Sequence, residues 1–517
     1  MSGLLYSACD LFIFNKFKKV GGSEVKLTIS FLVCVFVFSF AFAGGLVTNT
    51  NQSAEFMRVM NRNATIFTDA VYFNPAGTAF MEDGFHFYLS NQTIFQKKTI
   101  ENSYMYLNDG KYEGEVKAPI FPNVYAVMKK NKIALSLGFG PVGGGGSAEF
   151  KEGLPSFEIG FSDLVPSLNS QGVQGYSVDL YFKGSSIYYG FQSSFAYRFS
   201  EKLSIAFGGR YVKAMNRYEG YIKDVEINPG GNWMKASDFF AGVSQQYAGV
   251  AAEAYQAYQY YTAAGMEDSA SYFYSLYDSY SKLAIEMTFK SNLTSDQKAD
   301  VKQTGSVFIP IIGLNLAFSP DFRVSFRYEG LGKMVVKNDT KKDIIVGYDE
   351  EGNPITQFPD GEEIGSDIPS MLSFGLFYQV TPRIRVLSDL NYFSNKSIDW
   401  DGKEKFVNSE FEAGLGVEYI LSPKVLVSCG YLFSKTGATD DYQSDMSYGL
   451  DSQSLGFGGS FELFPGLTAS VGISKTFYKE DSRSFSHVLG NKPIPVTEKY
   501  DKDTFVIAFG LNYSIGR

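Results

Sequence analysis

Residues that could do covalent or metal chemistry are scarce in this 517-residue chain. Its histidines are His86 and His487, and its cysteines are Cys9, Cys34 and Cys429. No His-Glu-x-x-His pattern and no Gly-x-Ser-x-Gly turn occur, so zinc hydrolysis and nucleophile-elbow chemistry have no sequence support. A Ser/His lipid hydrolase built on His86 is a rival, but His86 lies in an alternating segment that suits a lumen or interface residue. Gly138-x-Gly140-x-x-Gly143 has the spacing of a dinucleotide loop. No helix follows it, and the chain carries an export signal, so that match is discarded. The acidic stretches Asp349–Glu351 and Asp360–Glu363 could attract divalent cations, and a solvated loop explains them better. The chain therefore reads as a non-enzyme with no cofactor and no metal.

The elements around these residues point to a membrane. From Phe505 to Arg517, the residues Phe505, Ile507, Phe509, Leu511, Tyr513 and Ile515 share one side of a strand, and small or polar residues share the other. An apolar row against lipid and a small, polar row against a wet lumen is the pattern of a membrane-spanning β-strand. Mean hydropathy is −0.10, too low for a helical membrane protein. The 47 Phe, 35 Tyr and 52 Gly fit aromatic girdles and small lumen residues. At the start, Lys16, Lys18, Lys19 and Lys26 precede an apolar run over 27–42, and Ala41-Phe42-Ala43 matches a cleavage site. A signal peptide over 1–43 is expected, with the mature chain starting near Gly44. Its removal leaves Cys429 alone, without an intramolecular disulfide. Losing four lysines, Asp10 and Glu24 changes the formal charge from −9 to −11, which leaves no electrostatic case for nucleic acid.

Alternating segments fall at 84–95, 121–129, 131–140, 185–199, 202–216, 305–318, 322–337, 368–380, 383–396, 409–420, 423–435, 452–463, 466–480 and 503–515. Turn-forming residues at 129–131, 200–202, 319–321, 381–382, 422–423 and 465–466 join them in pairs. Long connections alternate with the short turns. The expected fold is all-β: a 14-stranded antiparallel transmembrane barrel over 84–517 with both termini periplasmic. The connection at 217–304 is Ala- and Tyr-rich and predicts two amphipathic helices packed on each other over the barrel mouth. Inward faces carry Arg210 on the fifth strand, Arg323, Arg327 and Glu329 on the seventh, and Glu410, Glu412 and Glu418 on the tenth.

Residues 44–83 do not alternate. Ser53 can cap a short helix, and Asn74-Pro75-Ala76-Gly77 reads as a turn. They form either a periplasmic tail or a plug in the lumen. The stretch Gly44–Phe56, the run Asp69–Gly77 with its Asn-Pro-Ala motif, and Pro122-Asn123-Val124-Tyr125 resemble the FadL/TodX family. Its members are outer-membrane transporters of long-chain fatty acids and other hydrophobic compounds, with an N-terminal hatch inside a fourteen-stranded barrel. A departure is the terminal Arg517, where many outer-membrane barrels end in an aromatic residue.

The resemblance implies a hatch at 44–83, with Asn74, Pro75, Ala76 and Gly77 as its motif. It implies capture of a hydrophobic ligand on extracellular loops, transfer to a lumen pocket, hatch movement and lateral exit at a kinked third strand. Phe239, Phe240, Tyr255 and Tyr258 are then candidates for the collecting surface. Arg210 and Arg327 are candidates to hold a carboxylate head group, or else they pair with a lumen acid such as Asp389. Gly138, Gly140 and Pro141 are candidates for the kink, since glycine marks bends and proline removes a ladder hydrogen bond. Expected partners are the hydrophobic ligand and the lipid and lipopolysaccharide of a Gram-negative outer membrane, around a monomer. A general diffusion porin and a surface adhesin are the alternatives.

Overall fold

The computed structural model describes residues 46–395 and 397–516. The expected signal peptide, its cleavage site and the terminal Arg517 lie outside the described residues. Among the described residues, a closed antiparallel barrel of 14 strands forms. They are β1 (Gly84–Asn102), β2 (Lys111–Lys130), β3 (Ile133–Phe150), β4 (Tyr176–Arg198), β5 (Leu203–Ile227), β6 (Gln297–Ser319) and β7 (Phe322–Glu329). Then come β8 (Ser370–Thr381), β9 (Ile384–Ser394), β10 (Glu410–Ser422), β11 (Val425–Lys435), β12 (Ser452–Phe464), β13 (Leu467–Tyr478) and β14 (Lys492–Ile515). The ring closes where β1 pairs with β14, from Phe85↔Ile515 to Asn102↔Glu498.

Every expected strand is present, and the tight turns lie where the turn formers do. Several strands run further on the long-loop side than their alternation suggested. β1 and β2 continue as a ladder as far as Glu101↔Lys111. The reason lies on the outer face, where Phe85, Phe87, Leu89 and Phe95 give way to Lys97, Thr99 and Glu101. The apolar belt ends there, so the hydropathy signal stops, while backbone pairing does not depend on which solvent the side chains meet. The opposite deviation occurs in β7. It was expected unbroken over 322–337, but pairing with β6 ends at Ile311↔Glu329 and the next run is Val335–Lys342. The facing residue is Pro310, which has no N–H to carry the ladder on.

The predicted faces hold. Phe207 and Tyr211 on β5, Phe326 and Tyr328 on β7, and Leu415 and Tyr419 on β10 are exposed outward. Arg210, Arg327, Glu410, Glu412 and Glu418 are buried inward. Among the described residues, no helix is long and apolar enough to cross a membrane.

Residues 46–83 lie inside the ring. Helix α1 (Ala54–Val59) starts at Ser53, whose Oγ accepts the Phe56 N–H at 2.9 Å, the cap read from sequence. A single turn at Ala70–Phe73 leads into a 3₁₀ stretch at Pro75–Phe80, where the Asn74 side chain accepts the Ala76 N–H at 3.1 Å. Bonds from this segment reach β1 (Asn51 to Gln92), β5 (Ser204 to Ala76), β9 (Arg62 to Asp389), β10 (Leu46 to Glu410) and β14 (Thr68 to Asn512). Only a segment within the lumen can bond to strands all round the wall.

Above the barrel, α2 (Ala236–Ala263) and α3 (Glu267–Leu293) form an antiparallel helical hairpin. They meet through Tyr247–Tyr280, Tyr255–Tyr277 and Tyr261–Phe273, with ring centroids 5.0–5.8 Å apart. Its base is anchored by Phe240, Ala236 and Met287 in a cluster with Ile222, Val225 and Ile344.

Candidate functional site

The lumen has two storeys with different chemistry. Beside the hatch, the inward residues are polar, among them Ser90, Asn123, Gln192, Asn315, Ser325 and Asn391, all buried. Higher on the same strands they turn apolar: Val116 on β2, Phe150 on β3, Phe182 and Tyr188 on β4, and Val212 and Tyr218 on β5. The lower storey satisfies the hatch backbone, since a buried amide without a partner is costly. Asp389 accepts the N–H groups of Arg62 and Asn63 at 2.5 and 2.9 Å, and Glu410 accepts that of Leu46 at 2.7 Å. Glu418 holds Arg58 at 2.8 Å and Arg385 at 3.4 Å.

Arg210 and Arg327 meet under Tyr72 of the hatch. Arg210 forks onto Glu329 at 2.7 and 2.9 Å and onto Gln192 Oε1, with its guanidinium 4.6 Å from the centre of the Tyr72 ring. Arg327 lies 3.3 Å from the same carboxylate and donates to the Tyr72 carbonyl. The lumen acid that pairs with both is Glu329. Asp389, the partner suggested from sequence, is occupied by hatch amides. Arg327 and Glu329 stand two residues apart on one strand face, a spacing from which Glu329 could have been found but was missed. In this arrangement both arginines fasten the hatch to the wall.

Asn74 does the same on another side. Its Nδ2 donates to Leu314 O and Phe326 O, each at 3.1 Å, on neighbouring strands β6 and β7. Gly313 makes the approach possible, because a Cβ there would sit 2.4 Å from Asn74 Oδ1. Gly77 packs against the Thr65 carbonyl, 2.2 Å from where its Cβ would be, so Pro75-Ala76-Gly77 turns in close contact with the rest of the hatch.

The third strand, which carries Gly138, Gly140 and Pro141, becomes irregular just beyond Gly138. Pairing between β2 and β3 stops at Val124↔Phe139 and resumes at Val116↔Ala148. Toward β4, the register slips at Pro141/Gly143 and again at Gly143/Gly146. Gly144 and Gly146 adopt φ of 82° and 73°, which favours glycine. The hatch takes up the bonds that β2 leaves. Thr48 bridges Gly143, Asn49 N donates to Val142 O at 2.9 Å, and Gly144 N donates to Val47 O at 3.2 Å. Sequence reasoning named the glycines but not this pairing, which no local pattern encodes.

The aromatic candidates on the long loop divide. Phe240 is 2% exposed and Phe239 packs beside it at the hairpin base, so Phe240 is core and not collecting surface. Tyr255 is 40% exposed, and Tyr258 lies against Tyr274 at 5.3 Å. His86 joins Ser514 Oγ and the Glu82 carbonyl, both at 2.9 Å, across the closing seam of the barrel. His487 lies 2.9 Å from Asp163 and packs on Tyr104, tying three of the long connections together. Among the described residues no group of histidine, cysteine and acidic residues could hold a metal ion.

A lipid-facing belt, a closed antiparallel ring and a hatch bonded into the lumen define a plugged transmembrane β-barrel. Solved structures share this fold. A Pseudomonas aeruginosa FadL homologue aligns with a TM-score of 0.58 at 10% identity, covering 93% of this chain and 100% of its own. The Pseudomonas putida toluene transporter TodX aligns at 0.52 and 12% identity, covering 87% and 94%. A TodX mutant described as a monoaromatic hydrocarbon channel aligns at 0.55 and 12% identity, covering 91% and 100%. The likeness is one of fold. No protein-family model matches the sequence, and no curated protein does.

Proposed function

We propose that this barrel takes up hydrophobic small molecules across the outer membrane of a Gram-negative cell. The observation that carries the reading is the lumen itself: a floor filled by the hatch beneath a storey whose residues Val116, Phe150, Tyr188, Val212 and Tyr218 form one buried apolar cluster. A diffusion porin needs a wet, open lumen, and a wall that turns apolar above a plug suits a greasy ligand instead. In this scheme the exposed tyrosines of the helical hairpin, Tyr255 among them, collect ligand from outside. The upper storey holds it, and the hatch with its Asn74–Gly77 motif moves. Ligand leaves sideways between β2 and β3, where Gly138, Gly140 and Pro141 interrupt the wall. The pairing of Val47–Asn49 with the irregular part of β3 supports coupling between hatch and exit. Long-chain fatty acids and aromatic hydrocarbons are the candidate ligands, and a monomer surrounded by lipid and lipopolysaccharide is the expected form.

The test is binding and conductance together. The purified barrel in lipid nanodiscs should bind toluene or a fatty acid saturably, and in planar bilayers it should show no large, steady conductance. Steady porin-sized channels without saturable binding would overturn the uptake reading.

A further inference from the structure

We propose that the outer wall over β6–β9 carries a binding site for one acyl chain of lipopolysaccharide. The site is independent of the uptake reading and lies on the other face of the wall from the lumen. Two rows of outward side chains cross these four strands in register. One row is Ile312↔Tyr328↔Leu372↔Tyr392, and the other is Leu314↔Phe326↔Phe374↔Leu390. Between the rows lie Gly313, which has no side chain, and Arg327 and Ser373, which are buried inward and bonded to each other. A cleft of about 400 Å³ opens there. That volume falls within the range of about 300–1,000 Å³ usual for small-molecule sites. Phe326 and Phe374 meet edge to face at 5.2 Å and stiffen one side of it. Four strands span about 14 Å at the usual spacing. Barrel strands tilt by about 35–45°, so a cleft across them runs obliquely through the bilayer, a path that an acyl chain can follow.

Depth and charge select the occupant. On β8 and β9 the apolar belt ends at Leu372↔Tyr392, because the next outward pair is Ser370↔Ser394. Tyr328 and Tyr392, both exposed, therefore stand at the long-connection edge of the belt, where amphipathic rings meet head groups. With the long connections outside, that edge belongs to the outer leaflet, whose lipid in a Gram-negative outer membrane is lipopolysaccharide. Lys333 lies five residues beyond Tyr328, past the break in β7, and shares an exposed face with Val335 and Lys337. An ammonium above the tyrosines suits the phosphates of the lipopolysaccharide head group. The inner face of the same strip of wall holds the hatch, since Asn74 bonds Leu314 O and Phe326 O. A chain in the cleft thus packs behind the hatch anchor.

The experiment replaces Leu372, and as a control Leu455, by p-benzoylphenylalanine in the full barrel. Each lies nine residues from the short-turn end of its strand, Thr381 of β8 and Phe464 of β12. The barrel is irradiated in nanodiscs of phosphatidylethanolamine with a minor share of lipopolysaccharide, and the adducts are resolved by mass. Lipopolysaccharide adducts at 372 should exceed those at 455 by about tenfold, the preference that about ten further carbon–carbon contacts would give. Leu390→Trp fills the cleft from β9 and should bring site 372 down to the level of 455. Lys333→Glu should lower the excess by about fivefold or more, the scale of one basic residue at an anionic membrane surface. An excess that is absent, that survives filling of the cleft or that ignores Lys333→Glu overturns the inference. An excess made of phosphatidylethanolamine, or of adducts to a second barrel, overturns it in favour of that occupant. If Leu390→Trp does not fold, Leu314→Trp fills the cleft from β6 and decides by the same criterion.

Discussion

Adding a single methyl group at Gly313 should loosen the hatch without touching it in sequence. The Cβ of Gly313→Ala would lie 2.4 Å from Asn74 Oδ1 and 3.4 Å from Ala76 Cβ. The first contact is the end of a side chain, so the strand stays and Asn74 rotates away. It then loses its bonds to Leu314 O and Phe326 O and its cap on Ala76 N, all at 3.1 Å. At about 1 kcal/mol net for each bond, the docked hatch loses roughly 2–3 kcal/mol. That corresponds to a shift of about 30- to 150-fold toward the undocked state. Hydrogen exchange of the buried amides between Phe56 and Asn74 reads the shift directly, as faster exchange by that factor with barrel amides unchanged. Asn74→Ala should give a similar effect, and the double variant should be no worse than either single one, because both remove the same bonds. Unchanged exchange in Gly313→Ala, or additive effects in the double variant, would refute the reasoning.

Glu329→Met should cost the barrel about 3–5 kcal/mol, because Arg210 and Arg327 are both left without their buried carboxylate. Adding Arg210→Met and Arg327→Met to Glu329→Met should recover most of that loss, as read by urea unfolding in lipid vesicles. Gly140→Val should crowd Asn123 Nδ2, which lies 2.5 Å from where the Cβ would be, at the interruption between β2 and β3. Ligand binding to the purified barrel should persist while cellular uptake falls, and unimpaired uptake would argue against exit at this place. Asp445, in the loop at 436–451, accepts the Ser156 N–H at 2.8 Å, and burial raises its pKa. A folded-state pKa above the unfolded one means the closed loop binds the extra proton. Loop closure should therefore strengthen as pH falls from neutral toward the ordinary carboxylate range near about 4. Exchange protection of residues 441–449 should rise over that window in wild type and become less pH-dependent in Asp445→Asn.

The sequence by itself determined the strand set, the faces and the plug's first helix. A strand between lipid and lumen must alternate at period two, so Phe505 to Ile515 announce both the element and its outward side. A barrel also has to return each strand, so turn formers at 200–202 and 465–466 mark the short ends. Ser53 signalled α1 because a cap is a local bond. The upper halves of β1 and β2 were missed, since outside the belt Lys97 and Glu101 carry no lipid signal. The break in β7 follows from Pro310 on a neighbouring strand, which only the register brings opposite.

Partners were decided by the tertiary structure alone. Arg210 and Glu329 are 119 residues apart, Asn74 and Phe326 252, and Leu46 and Glu410 364. An inward arginine can be recognised from alternation, but whether it meets a ligand, the hatch or an acid depends on how the ring closes around the segment inside it. Closure likewise set Lys98 against Lys502, at opposite ends of the barrel sequence. It also gave the unpaired stretch of β3 to Val47–Asn49. Local patterns encode the solvent each face meets. Long-range pairing exists only once the last strand has bonded to the first.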